Sequence, residues 1–392
     1  MSVKFCPRLR FTSLAIAAIG LSACGQQGDP TPAPLPDVNA ADVIAIDELP
    51  GIGAAPESLS FWIHSTLSFN ALLLVANETG LVSYNMEDGV EVARVSDIAP
   101  DAIAVSYLGR GASARGLVAA LNEDDAAFQL YAVENNTRQF EAVPGDINVG
   151  GDIDGFCFGR GVDAQSPQLF IIQNSKITGY DFSVTDAIVT AHLLPEQQSP
   201  PNAAGCVIDQ SGALIVATNA GSLWLLGDGD PRKLNEAPIS AFGAINVVRA
   251  QRSNEDGSVA DIIERITLVD RGTGVVHLFD SADGHALGAV RIVRRSDAAE
   301  DEDAPAVLSA KPLGAFAVTG ANLGGIYRNG AAAMVFDSDN GPILRLAPIN
   351  GIANALSLYV GEAYNPRGSS RTDALPQLPP GLDLGGSFTP PE

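Results

Sequence analysis

The residues of this chain that could do chemistry are few and scattered. Its histidines do not have the mutual spacing of a zinc site. They are His64, His192, His277 and His285. Two Gly-Arg-Gly segments, residues 109–111 and 159–161, lack the following helix that a phosphate-binding loop requires. No nucleophile-elbow motif marks a catalytic serine. Residue types and spacing alone therefore indicate no catalytic set.

The four cysteines divide into two groups. Cys6 and Cys24 lie near the N-terminus, whereas Cys157 and Cys206 lie in apolar, strand-like contexts. In an exported protein the second pair can form a disulfide. Two buried thiols that pack as small hydrophobes are the alternative, and the sequence leaves both open.

The N-terminal region has the features of a bacterial lipoprotein signal. Three basic residues precede an apolar run over residues 14–21, which is too short to span a membrane. Leu21-Ser22-Ala23-Cys24 then matches the lipobox. We therefore expect a signal peptide over residues 1–23, lipidation of Cys24 and attachment to a membrane through acyl chains. An ordinary cleaved signal with an incidental cysteine is the alternative.

Proline and glycine mark the two ends of the expected domain. Residues 24–42 are rich in proline and predict an extended tether between lipid and domain. Residues 359–392 are rich in proline and glycine, and we expect a mostly disordered tail. The domain would then cover residues 43–358. Gly25, directly after the lipidated cysteine, favours the outer membrane over the inner membrane of a bacterial cell envelope.

The chain is strongly acidic, with a formal net charge of -23. Without the signal peptide it has 20 basic and 46 acidic residues. Such a chain is repelled by nucleic acids and by anionic lipid surfaces, so we expect no nucleic-acid partner. A polyanionic ligand would also be repelled unless bound cations or a local basic patch reversed the field.

The elements that must position any site are short strands. Residues 56–89 contain three apolar or alternating strands, over residues 60–63, 71–76 and 80–84, with glycine-containing turns between them. Such a meander cannot bury both of its faces alone and must stack against copies of itself. At about 40–50 residues per copy the domain holds six or seven. The pattern predicts an all-β fold, a β-propeller that we take to have six blades of short antiparallel meanders.

The same stretch carries a resemblance to a known family. Residues 57–65, Glu-Ser-Leu-Ser-Phe-Trp-Ile-His-Ser, and residues 77–85, Asn-Glu-Thr-Gly-Leu-Val-Ser-Tyr-Asn, follow the frame of an opening blade in the β-propeller phytases. Further matches in order extend to a closing blade that begins near Tyr327, so the resemblance covers about residues 54–358. Phytases of this family are calcium-dependent enzymes that release phosphate from inositol hexakisphosphate. The resemblance therefore implies calcium as a cofactor and a site at one end of the propeller channel.

The family's metal and phosphate ligands are mostly replaced. The resemblance leaves Glu57 and Asp152 as the candidate calcium ligands, since both keep a carboxylate where the family has one. Other side chains occupy the remaining positions at which the family has acids or cations. They are Ser58, Asn77, Glu78, Ala104, Ser106, Ala204, Thr218, Asn219, Ser240 and Phe242.

Three functional hypotheses follow. The first is a catalytically degenerate, phytase-like lipoprotein that binds a small ligand or an envelope protein as a binding or scaffold module. The second is an active calcium-dependent 3-phytase or phosphomonoesterase with a remodelled site. The third is a lactonase-like or purely structural envelope propeller that needs neither calcium nor phosphate.

Overall fold

The fold is a six-bladed β-propeller. The computed structural model describes residues 39–50, 54–122, 126–185, 188–227, 230–255, 258–295, 306–307, 311–338 and 341–368. Six sheets built on antiparallel meanders follow one another along the chain, and the first strand of each meander lies next to the channel. The prediction of an all-β propeller with six blades is confirmed.

The described chain begins with two short strands that belong to blades formed much later. They are β1 (Ala41–Ile44) and β2 (Asp47–Pro50). β1 adds a parallel strand to the outer edge of the fifth blade, and β2 adds an antiparallel strand to the sixth. The ring is therefore closed by pairing between strands from the two ends of the domain.

The first two blades are simple four-stranded meanders. Their sheets run outward from the channel in chain order. The first blade has β3 (Ser58–Trp62), β4 (Leu72–Asn77), β5 (Gly80–Asn85) and β6 (Glu91–Val95). The second has β7 (Ala102–Leu108), β8 (Arg115–Asn122), β9 (Ala127–Val133) and β10 (Phe140–Asn148).

The third and fourth blades repeat this pattern. The third has β11 (Gly155–Gly159), β12 (Gln168–Gln173), β13 (Lys176–Thr185), β14 (Ile188–Leu193) and a short β15 (Gln197–Gln198) that pairs with β13. The fourth has β16 (Ala203–Ile208), β17 (Leu214–Thr218), β18 (Ser222–Leu226) and β19 (Arg232–Glu236).

The last two blades include the strands added from elsewhere. The fifth has β20 (Phe242–Ser253), β21 (Val259–Asp270), β22 (Val275–Asp280), β23 (Ala286–Arg295) and a short β24 (Ala306–Val307), besides β1. The sixth has β25 (Lys311–Thr319), β26 (Ala331–Ser338) and β27 (Gly341–Pro348), besides β2. The helix α1 (Ile349–Ala355) and the strand β28 (Glu362–Ala363) follow.

The core consists of the apolar faces between neighbouring blades. In β4 every residue is buried, because this strand has a sheet neighbour on both sides and a blade against each face. Leu72, Leu73 and Leu74 are fully buried, and each contributes roughly 1.5–3 kcal/mol to folding. Trp62 is also fully buried at the end of β3. Stacking therefore hides both faces of each meander, as the strand pattern required.

Ordered structure extends past the expected domain boundaries at both ends. β1 begins at Ala41, inside the segment that we assigned to the tether, and residues 359–368 include β28 and the fully buried Arg367. The expected signal peptide, Cys24 and the tail beyond residue 368 lie outside the described residues. Within the described ranges, we find no helix with the length and apolar character needed to cross a membrane.

Candidate functional site: the axial cavity

The candidate site is a cavity on the propeller axis, with a volume of ≈ 380 Å³. Residues of the first strand of every blade line it: β3, β7, β11, β16, β20 and β25. The ends of these strands meet a C-terminal segment that crosses the axis, residues 356–368, which we call the strap. Tyr364 and Pro366 of the strap also line the cavity. We call the end of the cavity where the inner strands begin the mouth, and the end where they meet the strap the floor.

Main-chain hydrogen bonds attach the strap to three blades. β28 pairs with the inner edge of β20, with Ala250 opposite Ala363. The Tyr364 N–H donates to the Gly320 carbonyl at 2.9 Å, just after β25. The Gly111 N–H donates to the Arg367 carbonyl at 2.8 Å, in the second blade. The strap is therefore an integral part of the ring.

Arg367 anchors the end of the strap. Its guanidinium donates to the Ile63 carbonyl at 2.8 Å, to Asn135 Oδ1 at 3.0 Å and to the Ala114 carbonyl. It also lies over two aromatic rings, 5.3 Å from the centre of Trp62 and 4.7 Å from that of Tyr107. Burial lowers the pKa of Arg367, because a charged group is disfavoured in an apolar environment.

Arg160 joins the floor to the third blade. Its Nη1 donates to the carbonyls of Gly109 and Ala164, and its Nη2 donates to the Pro366 carbonyl at 2.9 Å. The residue is 6% exposed and lines the cavity. Burial lowers its pKa, and the neighbouring Arg110 and Arg249 also lower it. Arg160 is the centre of one of the two Gly-Arg-Gly segments, where its guanidinium supports the strap and borders the cavity.

Arg249 and Glu264 form a buried ion pair at the same level. The Nε of Arg249 donates to Oε2 of Glu264, and the two side chains are 12% and 0% exposed. Oε1 of Glu264 accepts from the Gln210 N–H at 3.1 Å, while Nη2 of Arg249 donates to the Ile208 carbonyl at 2.7 Å. The carboxylate is therefore fully engaged, and the pair is close to neutral as a unit.

The wall of the cavity includes several small and aromatic side chains. Its alanines lie on four of the inner strands, and aromatic rings lie between them. Ser60 and Asn246 add a hydroxyl and an amide. The alanines and rings are Ala102, Ala104, Ala204, Ala244, Ala317, Phe156, Phe242 and Phe316. The lining therefore offers a ligand both apolar contacts and hydrogen-bonding groups.

Glu57 and Asp152 lie near the mouth, at the starts of the first and third blades. Both are exposed, and neither lines the cavity. Across the described ranges, His, Cys, Asp and Glu form no group of three or more that could hold a metal ion. The exposed positions of Glu57 and Asp152 provide two carboxylates, whereas a bound Ca²⁺ takes about 6–8 oxygen ligands.

Most of the positions at which the resemblance would place ligands lie in the cavity wall or make hydrogen bonds within the chain. Ala104, Ser106, Ala204 and Phe242 line the cavity. Polar side chains at four other positions make hydrogen bonds within the chain. Ser58 Oγ accepts from the Ile103 N–H, Asn77 Oδ1 from the Thr79 N–H and Thr218 Oγ1 from the Ser222 N–H, while Ser240 Oγ donates to Asp270 Oδ1. These bonds give each of the four polar side chains a structural partner.

Cys157 and Cys206 form a disulfide in the structure. Their Cα atoms are 5.2 Å apart, and the bond joins β11 to β16, the inner strands of neighbouring blades. Both residues line the cavity. Of the two alternatives left open by the sequence, the structure has the disulfide, which holds two blades together at the channel wall.

His64 is part of a turn. Its Nδ1 accepts from the backbone N–H groups of Thr66 at 3.1 Å and Leu67 at 3.0 Å, while Nε2 lies 2.9 Å from the Asn135 carbonyl. Burial lowers its pKa, and the positive charges of Arg367 and Arg138 act in the same direction. The neutral imidazole can make all three contacts, with the proton on Nε2.

Comparison with known proteins gives fold-level similarity. No protein-family model matches the chain, and no curated protein matches it. Among solved structures, the chain is similar to Kluyvelomyces marxianus Hsv2, at 10% identity and a TM-score of 0.36, over 72% of this chain and 70% of that one. It is also similar to the Myceliophteria thermophila Cps50 (Swd1) β-propeller domain, at 11% identity and a TM-score of 0.40, over 77% and 98%.

A third similar structure is a protein of unknown function from Bacteroides caccae, at 11% identity and a TM-score of 0.37, over 61% of this chain and 82% of that one. At these identities and TM-scores the similarities carry no information about function.

Proposed function

We propose that this protein is a phytase-like, catalytically degenerate propeller that binds a small, mostly apolar ligand in its axial cavity. One observation carries the proposal: Ala104, Ala204 and Phe242 line the cavity at positions where the resemblance would place calcium or phosphate ligands. Methyl and phenyl groups cannot coordinate a hard cation, but they provide apolar surface for a ligand. We further propose that lipidated Cys24 holds the propeller at the bacterial cell envelope.

The cavity has the features of a ligand site. Its volume of ≈ 380 Å³ falls within the usual range of about 300–1,000 Å³ for small-molecule pockets. The strap closes the floor, so a ligand would enter through the mouth and become enclosed on all other sides. Hydrogen bonds keep the strap in place, which favours a pocket that exists before the ligand arrives.

The binding experiment uses 4-phenylbutan-1-ol, a neutral probe with an aromatic body and one hydroxyl, followed by isothermal titration calorimetry. We expect binding to the wild-type protein and its loss in Ala104→Phe, which fills the cavity from β7. Ala191→Phe is the matched control, because Ala191 is exposed on β14 at the outer edge of the third blade. Equal binding by the wild type and the folded Ala104→Phe variant, or none by the wild type, would reject the axial cavity as the binding site.

A second experiment separates this function from an active phytase. We expect no phosphate release from inositol hexakisphosphate at millimolar calcium and no rise in the unfolding temperature. An active enzyme would release phosphate and be stabilised by calcium, because a ligand that binds only the folded state raises its stability. That stabilisation would disappear in Glu57→Ala or Asp152→Ala and persist in Glu255→Ala, a change at an exposed turn.

A further inference from the structure

The floor of the cavity has an unusual balance of charge. Arg160 and Arg249 line it, and Arg367 lies directly behind the lining residue Tyr107. Arg110 is close enough to lower the pKa of Arg160 and ion-pairs with the exposed Asp163 at 3.8 Å. Among the described residues at this level, Glu264 is a buried acid, and it is already paired with Arg249. In a protein of formal net charge -23, this end of the axis is locally cationic.

Two of these guanidinium groups are buried without a counter-ion. Arg160 is 6% exposed and Arg367 is 0% exposed. Their hydrogen-bond acceptors are main-chain carbonyls and the neutral amide of Asn135. Among the described residues neither has an acidic partner at ion-pair distance. A buried charge without an opposite charge is costly, so an anion in the cavity would relieve an existing penalty.

Arg160 also has a donor to offer. Its hydrogen bonds with the described part of the chain use Nη1 and Nη2, which leaves the Nε–H without an acceptor there. The Nε atom is not one of the described buried nitrogens that lack a partner, so it is accessible. Arg160 lines the cavity, and we therefore take its Nε–H to be reachable from there. A carboxylate at the floor could accept from this N–H and gain a charge-assisted hydrogen bond.

The mouth has the opposite charge. Asp154 lines it, and the exposed Glu57, Asp101 and Asp152 precede the inner strands of the first three blades. Carboxylates at this end disfavour ligands with several negative charges, including inositol phosphates. A ligand with one anionic group and an apolar remainder is only weakly repelled by the carboxylates at the solvated mouth. At the floor the low dielectric strengthens the attraction between its anionic group and the arginines.

We infer that the axial cavity binds small amphipathic monocarboxylates, with the carboxylate on Arg160 at the floor and the apolar body against the alanines and phenylalanines of the wall. This inference rests on the proposed function, which needs only an apolar ligand in the cavity. It adds the chemical class of the ligand and its orientation.

Three probes with the same body test the inference: 4-phenylbutyrate, 4-phenylbutan-1-ol and 4-phenylbutylamine, titrated calorimetrically at pH 7.5 in low salt. We expect the carboxylate to bind about tenfold more tightly than the alcohol, as one charge-assisted hydrogen bond would give. The amine should bind more weakly than the alcohol. An alcohol that binds as tightly as the carboxylate, or an amine that binds best, would overturn this inference and leave the proposed function intact. Failure of all three to bind would reject both.

Variants and a complex locate the anion. In Arg160→Gln the preference for the carboxylate should fall to within about twofold, whereas Arg232→Gln, at an exposed position of β19, should keep it. If Arg160→Gln does not fold, a crystal structure of the wild type with 4-phenylbutyrate decides the matter. A carboxylate within hydrogen-bonding distance of Arg160 Nε supports the inference, and a carboxylate at the mouth contradicts it.

Discussion

The guanidinium of Arg367 donates to the main-chain carbonyl of Ile63, a residue 304 positions earlier in the chain. This bond joins the last described turn of the protein to the end of the first inner strand. Together with the bonds to Ala114 and Asn135, it fixes the strap across the floor of the cavity.

Arg367→Met should destabilise the protein by roughly 2–4 kcal/mol, because it leaves buried carbonyls without a donor. Arg232→Met, at an exposed position, should change stability by less than about 0.5 kcal/mol. Urea unfolding followed by tryptophan fluorescence measures both, since Trp62 lies against Arg367. If the two variants lose equal stability, Arg367 does not anchor the strap.

Reduction of the disulfide between Cys157 and Cys206 should also destabilise the protein. The bond closes a loop with a sequence separation of 49, for which chain entropy gives about 4 kcal/mol. Unfolding with and without dithiothreitol measures the loss. A Cys157→Ala/Cys206→Ala double variant should be insensitive to the reductant, and a wild type that is equally insensitive would mean that the bond does not form in solution.

Gly155 is required where the third and fourth blades approach each other. A Cβ at this position would lie 2.3 Å from the main-chain carbonyl oxygen of Ala204, so the two inner strands would have to separate. We expect Gly155→Ala to cost about 1–3 kcal/mol in thermal or urea unfolding. Gly227→Ala is the control, because a Cβ there meets no atom within 4 Å. A Gly155→Ala protein as stable as the control would contradict the close approach.

The free energy of unfolding should fall at acidic pH because of His64. Its folded-state pKa is lowered, mainly by burial, below the ordinary value of about 6.5 that it regains on unfolding. The unfolded state therefore binds more protons between the two values, and stability present above pH 6.5 is lost as the pH falls through the folded pKa. His277 acts in the same direction, because burial lowers its pKa as well.

The measurement is the unfolding free energy at pH 7.5 and pH 5.0. His64→Gln should show a smaller loss between these values than the wild type does, while His285→Gln, a change of an exposed histidine, should match the wild type. Identical pH dependence in His64→Gln and the wild type would show that the turn tolerates a protonated imidazole.

Cys24 lies outside the described residues, and its lipidation is tested in cells. We expect the wild type to fractionate with membranes and to incorporate an alkyne-labelled fatty acid, because several acyl chains together give stable attachment. Cys24→Ala should lose both properties, with Cys6→Ala as the control inside the expected signal. Labelling that persists in Cys24→Ala would place the lipid elsewhere or reject the anchor.

The local sequence pattern was sufficient to predict the strands of a blade. It was not sufficient to predict β1, β2 and the strap, which close the ring and the floor of the cavity. The strands over residues 60–63, 71–76 and 80–84 correspond to β3, β4 and β5 because alternation and glycine turns are properties of short segments. β1 instead begins in the segment with the composition of a tether, and most of the strap lies in the segment with the composition of a tail. β2 was not among the predicted strands. The order of all three comes from partners hundreds of residues away, which no local pattern records.

The site divides in the same way. The positions of Ala104 and Ala204 at the channel could be predicted from the sequence, because the strand frame places both residues on inner strands. The cationic floor could not, since Arg160 and Arg249 come from different blades and Arg367 from the strap. The Gly-Arg-Gly segment around Arg160 indicates a loop. It does not indicate that this loop borders the axial cavity.

The pairing of β2 with β27 determines when this protein can finish folding. Glu48 and Arg345, joined by an ion pair across these strands, are 297 residues apart, so the ring cannot close on the ribosome until β27 has been synthesised. Until then β2 has no partner strand, and the nascent chain must avoid association with other chains. If the protein is exported as we propose and translocation begins before that moment, the chain would cross the bilayer unfolded and form its ring on the far side.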